Sequence, residues 1–306
     1  MPTLTFPLSR IEGHARVVIE YHGDRVVSAQ FQATEVRGFS YLMQDVPAEQ
    51  MPVIVPRICG VCSTAHHVAA VKALEDIYAV EVPAKAERIR ELMMLGQLIQ
   101  NQATSVFLFT MPDLPGQEGL PSVLEFGTEN ADLAPKALQI RRAGTDLLTA
   151  AGGQFIHPVK AVIGGVISGI PAQVAADMRR ELTEMLPLAE ELFERYWELF
   201  MDLQDRINTL GDDAPTYYLA AVSKGHAYYG GKIRVLSPQG REEAAFEPCD
   251  YGQYITEVPI ETSYSNATLF KGAVMRANSL ARLNMLPQMG TPLADRYIAR
   301  FRQQWG

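Results

Sequence analysis

The chain has 306 residues, a formal charge of −8, 47% apolar residues and 20% charged ones. That profile is globular, and an acidic chain without a long Lys/Arg block excludes nucleic-acid phosphates and anionic membranes as partners. Three cysteines do not build a disulfide framework. Two of them, Cys59 and Cys62, sit close together, which points to a reducing compartment and a metal or redox use for the pair. The N-terminus has no basic start followed by an apolar run, so no signal peptide is expected.

In chain order, residues 15–21 (ARVVIEY) and 26–34 (VVSAQFQAT) read as β-strands around a turn at His22-Gly23-Asp24-Arg25. From Ser63 the pattern becomes helical, with Ser63 or Thr64 as cap and Val68, Val71, Leu74 and Ile77 on the apolar face. Pro83 opens a longer helix that runs to about Pro112. Its uncharged part, 92–112, carries Gln97, Gln100, Asn101 and Gln102, which hydrocarbon would penalise, so a helix buried in protein is expected and no transmembrane segment. A third helix spans 129–151 and stops at Gly152-Gly153. The fourth, 171–210, is the most amphipathic, with a stripe from Leu182 through Leu192, Tyr196 and Leu203 to Ile207 and Leu210, bent at Pro187. Short strands follow at 216–222, 227–235 and 253–258, and a last helix at about 293–304. The fold class is mainly α with small β elements, α+β.

The sharpest segment is Arg57-Ile58-Cys59-Gly60-Val61-Cys62-Ser63-Thr64-Ala65-His66. Two thiols separated by two residues can face one metal, and Gly60 lets the loop turn between them. Cys62 lies just before a helix N-terminus, where the dipole favours a thiolate, and Arg57 adds positive charge on the other flank. Soft thiolates suit zinc, iron–sulfur clusters or nickel. On spacing alone the pair reads equally as half of a structural zinc site; a thioredoxin-like dithiol would need a βαβ setting that the sequence lacks. The second segment is Ser9-Arg10-Ile11-Glu12-Gly13-His14. In a strand, Glu12 and His14 would share a face, and taken alone that is the pattern of a surface pair.

Together these segments resemble the large subunit of nickel–iron hydrogenases. Other stretches agree in order: Glu35-Val36-Arg37-Gly38-Phe39, His66-His67-Val68-Ala69-Ala70, Gly152-Gly153-Gln154-Phe155-Ile156-His157-Pro158 and Ser279-Leu280-Ala281-Arg282-Leu283-Asn284. The resemblance runs across the whole chain and is strongest to the cytoplasmic, F420-non-reducing or heterodisulfide-reductase-linked type. It implies one domain over 1–306, with an N-terminal β region (1–45), a helical body (46–212), a small β insertion (213–262) and a C-terminal segment (263–306).

The resemblance also implies reversible H2 cleavage at a nickel–iron centre whose iron carries CO and cyanide. Cys59 matches the terminal nickel ligand and Cys62 the bridging one. Glu12 matches the carboxylate that takes the proton, His66 an imidazole that orients the cysteines, and Arg57 a residue that helps hold thiolate charge. The implied partners are an iron–sulfur small subunit, further electron-transfer subunits, maturation proteins and H2.

Three departures stand out. The family's second motif, Asp-Pro-Cys-x-x-Cys-x-x-His, is not found, so a truncated large subunit, inactive alone, is expected. Cys249 follows Glu247-Pro248 but position 252 is Gly, and it reads as a structural core or loop thiol. Ser40 stands where the family carries a magnesium-binding Glu, so no magnesium site is expected. Asn101 replaces an acid that many members hold near the active site. Alternatives from other classes are a non-catalytic scaffold akin to the quinone-site subunit of complex I, against which the cysteine pair argues, and a structural zinc protein.

Overall fold

Residues 2–36, 38–114, 131–204, 215–223 and 228–305 are described by the structure, a computed structural model. The chain divides into two units: residues 1–36 with 211–306, and residues 37–210. The first unit begins with an antiparallel sheet of β1 (Thr3–Pro7), β2 (Ala15–His22) and β3 (Arg25–Ala33). Pairing in register places Leu4 opposite Ile19 and Phe6 opposite Val17, which in turn faces Phe31. The expected hairpin at Gly23 is present, with Gly23 in the left-handed region.

The second unit carries short helices α1 (Phe39–Leu42) and α2 (Met51–Ile54), then α3 (Ser63–Ile77) and α4 (Ala84–Ala103). The long expected helix is shorter than the sequence pattern. After Ala103 the chain loosens into a π-helical turn at Thr104–Thr110 and a tight turn at Met111–Asp113. Two threonines take part, Thr104 donating its hydroxyl to the Gln100 carbonyl and Thr110 to that of Ser105, each at 2.8 Å. No helix among the described residues is long and apolar enough to cross a membrane. Helix α5 (Leu133–Gly152) begins later than its expected start at 129, which lies outside the described residues. It ends at Gly153, whose φ of 88° closes the helix as the sequence requires. A two-residue hairpin, β4 (Ala161–Val162) with β5 (Gly165–Val166), leads to α6 (Ala172–Asp202), which contains Pro187 and buries Leu192 and Trp197. The expected end of that stripe, Ile207 and Leu210, lies outside the described residues.

Back in the first unit, a six-stranded sheet has the order β8-β7-β6-β11-β10-β9. Its strands are β6 (Tyr217–Val222), β7 (Lys232–Leu236), β8 (Glu242–Phe246), β9 (Ile255–Val258), β10 (Ala267–Phe270) and β11 (Ala273–Arg276). Strand β7 starts five residues later than the pattern at 227 suggests, and β8, β10 and β11 are additions to it. Helices α7 (Ser279–Met285) and α8 (Pro292–Trp305) complete the chain, the latter close to its expected span. The architecture is α+β with a helical body, as the sequence implies.

Two contacts place α4. Its Arg90 is fully buried and makes two parallel hydrogen bonds to Glu75 of α3, at 2.6 and 2.8 Å. The same guanidinium donates to the Val162 and Gly165 carbonyls, and the Gly164 N–H donates to Glu75. Every charge in this pair is matched, whereas removing one partner of such a pair costs about 3–5 kcal/mol. Further along, Gly96 of α4 meets Gly144 of α5 backbone to backbone. A Cβ on Gly96 would lie 2.7 Å from the Leu148 nitrogen, and one on Gly144 would lie 2.6 Å from the Gln100 nitrogen. Those neighbours are main chain and cannot step aside. Substituting Gly96→Ala should therefore force the helices apart and destabilise the chain by about 1–3 kcal/mol despite alanine's higher helix propensity. Urea denaturation of the two proteins measures this directly, and an alanine variant as stable as the parent would refute the close crossing.

Candidate metal centre

The cysteine loop is built from a change of backbone direction. The turn Val55–Ile58 ends at Cys59, which is extended, and Cys62 is the N-cap residue of α3. His66 stands four residues on from Cys62 and so shares its face of the helix. One ligand atom from each of Cys59, Cys62 and His66 lies within 4.8 Å of the others. The two sulfurs are bonded to each other, and the Cys62 N–H donates to the Cys59 sulfur at 3.1 Å. A metal would therefore be taken by the reduced pair. Cys59 is buried, and Cys62 and His66 are partly so. The His66 ring borders an apolar cavity of about 370 Å³ beside Val55, Ile58, Ala69 and Ala73. Burial pushes the His66 pKa down, which favours the neutral imidazole that a metal requires.

The loop is fastened from outside by neutral groups. Gln97 of α4 accepts the Thr64 N–H at 2.8 Å, and Asn101, one turn further, donates to the Val61 carbonyl at 2.8 Å. Neither Ser63 nor Thr64 caps α3, in contrast to the sequence expectation. The Ser63 hydroxyl is instead engaged by the His157 N–H at 3.1 Å, and the His157 Nδ1–H donates to the Pro56 carbonyl at 3.1 Å. His67 is buried and donates from Nδ1 to the Pro52 carbonyl at 2.8 Å. That burial pushes its pKa down as well.

Of the residues singled out by sequence, the structure brings Cys59, Cys62 and His66 together. Arg57 is exposed, and its guanidinium donates to the Val53 carbonyl within the preceding turn. Glu12 belongs to the other unit, exposed on the loop 8–14 between β1 and β2. That loop is not a strand, because Arg10 and Gly13 both have positive φ, so the same-face argument for Glu12 and His14 does not hold. It is closed by the Leu8 N–H to the Ala15 carbonyl and the Thr34 N–H to the His14 carbonyl, while His14 pairs with Glu35 at 2.9 Å. Arg37 of the segment 35–39 lies outside the described residues, and Ser40 is exposed on α1. Cys249 is an exposed thiol in the turn Pro248–Gln253 rather than a core group. Sequence reading misses Gln97 as a loop contact. The available signal is the run of uncharged polar residues in α4, which counts against a membrane span but equally offers amides to a neighbouring loop.

Two thiolates and an imidazole at a helix N-terminus fit a soft or borderline metal such as nickel, iron or zinc, and exclude magnesium and calcium. The family model for nickel-dependent hydrogenase matches residues 37–111, which contain this loop. The chain is 34% identical to a subunit of the F420-non-reducing hydrogenase vhu of Methanocaldococcus jannaschii, over 98% of this chain and 74% of the relative. It is 27% identical to the β subunit of the NAD-reducing hydrogenase HoxS of Cupriavidus necator, over 96% of this chain and 65% of the relative. The crystal structure of an NAD+-reducing nickel–iron hydrogenase in the H2-reduced state superposes with a TM-score of 0.92 at 28% identity, covering 98% of this chain and 70% of that one. The chain thus belongs to the nickel-dependent hydrogenases, as a large subunit.

Burial sets an order of thiol reactivity. In the reduced protein, exposed Cys249 should label first with a maleimide, half-buried Cys62 next and buried Cys59 last. Peptide mass mapping over a time course reads that order; Cys59 labelling ahead of Cys62 would contradict the buried placement.

Proposed function

We propose that this chain is the H2-activating subunit of a multi-subunit hydrogenase. The observation that carries the reading is the convergence of Cys59, Cys62 and His66 on one point within a member of this family. Cys59 would hold nickel as a terminal ligand and Cys62 would be shared with an iron that carries CO and cyanide. When bound, the centre supplies the reversible cleavage of H2 into protons and electrons. The chain's own groups have simpler tasks. His66 keeps the two cysteines oriented, and Arg57 offsets thiolate charge. A carboxylate oxygen of Glu12 accepts the proton that leaves the site and hands it on. Electrons pass to a separate iron–sulfur subunit, because three cysteines cannot ligate a cluster relay of the chain's own. Further electron-transfer subunits and maturation proteins complete the partnership, in the cytoplasm. In support, several relatives are named as individual subunits of hydrogenases, one of them as an iron-sulfur subunit.

In the assembled enzyme, Glu12→Gln should abolish H/D exchange with the metal content unchanged, since the amide keeps the size but cannot shuttle a proton. Wild-type exchange in that variant would sink the assignment. The 306-residue chain itself should bind nickel weakly and show no H2-dependent dye reduction, because two thiolates give far less affinity than four. Appending a family segment with two further cysteines, in a host with maturation proteins, should restore both. Stoichiometric nickel with turnover in the 306-residue chain would overturn this.

A further inference from the structure

The peptide between Val61 and Cys62 is engaged at both ends. Its carbonyl accepts from Asn101 Nδ2 at 2.8 Å, and its N–H donates to the Cys59 sulfur at 3.1 Å. Three residues on from Val61, the Thr64 N–H donates to Gln97 Oε1 at 2.8 Å. Gln97 and Asn101 are four apart on one face of α4, so a single helix face brackets Cys62 on both sides. The directions of these bonds are fixed by chemistry: a carbonyl can only accept and an N–H can only donate. Position 101 therefore requires a donor and position 97 an acceptor.

We infer that Asn101 is a positioning residue for the metal-binding pair, holding the Val61–Cys62 peptide so that its N–H aims at the Cys59 sulfur, with Gln97 fixing the other end of the bracket. This rests on the reading of Cys59 and Cys62 as metal ligands. It accounts for an amide at 101 where the resemblance leads one to expect an acid, because a carboxylate there would face a carbonyl oxygen with no proton between them. Once the pair is reduced, an N–H directed at the Cys59 thiolate gives a charge-assisted hydrogen bond, and outer groups that orient ligands in this way are commonly worth 10–100-fold in metal affinity.

The test is anaerobic titration of the reduced 306-residue chain with Co2+ in a C249S background, following the thiolate-to-cobalt charge-transfer absorption. N101D should weaken binding about tenfold or more and alter the band. Q97A should weaken binding to a similar degree, and Q97E, which returns the acceptor oxygen, should restore it. The two acidic substitutions add the same charge, so simple attraction for a dication would tighten both, and opposite behaviour identifies the hydrogen-bond roles. If N101D does not fold by circular dichroism, N101A carries the same expected loss. C59S separates the two readings. If C59S keeps the parent's band and affinity, the ligand assignment is wrong. If C59S abolishes the band while N101D or its substitute N101A binds within twofold of the parent, the positioning inference is overturned.

Discussion

At Gly96 and Gly144 two helix backbones touch with no side chain between them, and the rest of the helical unit is arranged around that contact. A Cβ at either position would fall within 2.7 Å of a main-chain nitrogen, so the crossing fixes both the height and the rotation of α4. With that rotation set, Gln97 and Asn101 reach the cysteine loop, while Arg90, earlier on the same helix, reaches Glu75 and the β4–β5 hairpin. Helix α4 is thus held at one end by a matched buried charge pair and near its middle by packing. The cysteine loop hangs from the residues beside the packed point.

The division of labour between charge and neutrality follows from solvation. Arg90 and Glu75 are buried together, and their mutual hydrogen bonds offset the loss of water. Around the cysteines the anchors are two amides, a hydroxyl and an imidazole. Neutral groups can fix a backbone without competing for the sulfur charge, as an ammonium would, and without repelling it, as a carboxylate would. The loop is therefore shaped independently of the net charge that its thiols acquire.

Much of this is legible in the sequence. The β2–β3 hairpin, α3, the end of α5 at Gly153 and the span of α8 all follow from local signals: strand alternation, helical period and a glycine with positive φ. The cysteine pair and His66 are legible because their spacing of three and four residues is itself the geometry. What escapes is non-local. Nothing in the spacing of Ser63 or Thr64 reveals that Gln97, far along the chain, accepts a helix N–H as a cap would, or that the His157 N–H engages the Ser63 hydroxyl. The shortening of α4 at Ala103 depends on threonine hydroxyls competing for main-chain carbonyls, which an apolar count does not register. The short strands β10 and β11 exist through their sheet neighbours, and four residues carry too little pattern to announce them.

The anchors of the cysteine loop also set a schedule. They come from positions 33, 40 and 94 residues away in sequence, all of them made after the cysteines. On a ribosome adding about 5–20 residues per second, the last of them emerges roughly ten seconds behind the loop. Until then the two thiols sit in a loop that lacks the last of its fastening bonds. The loop is fully fastened only once His157 has been made.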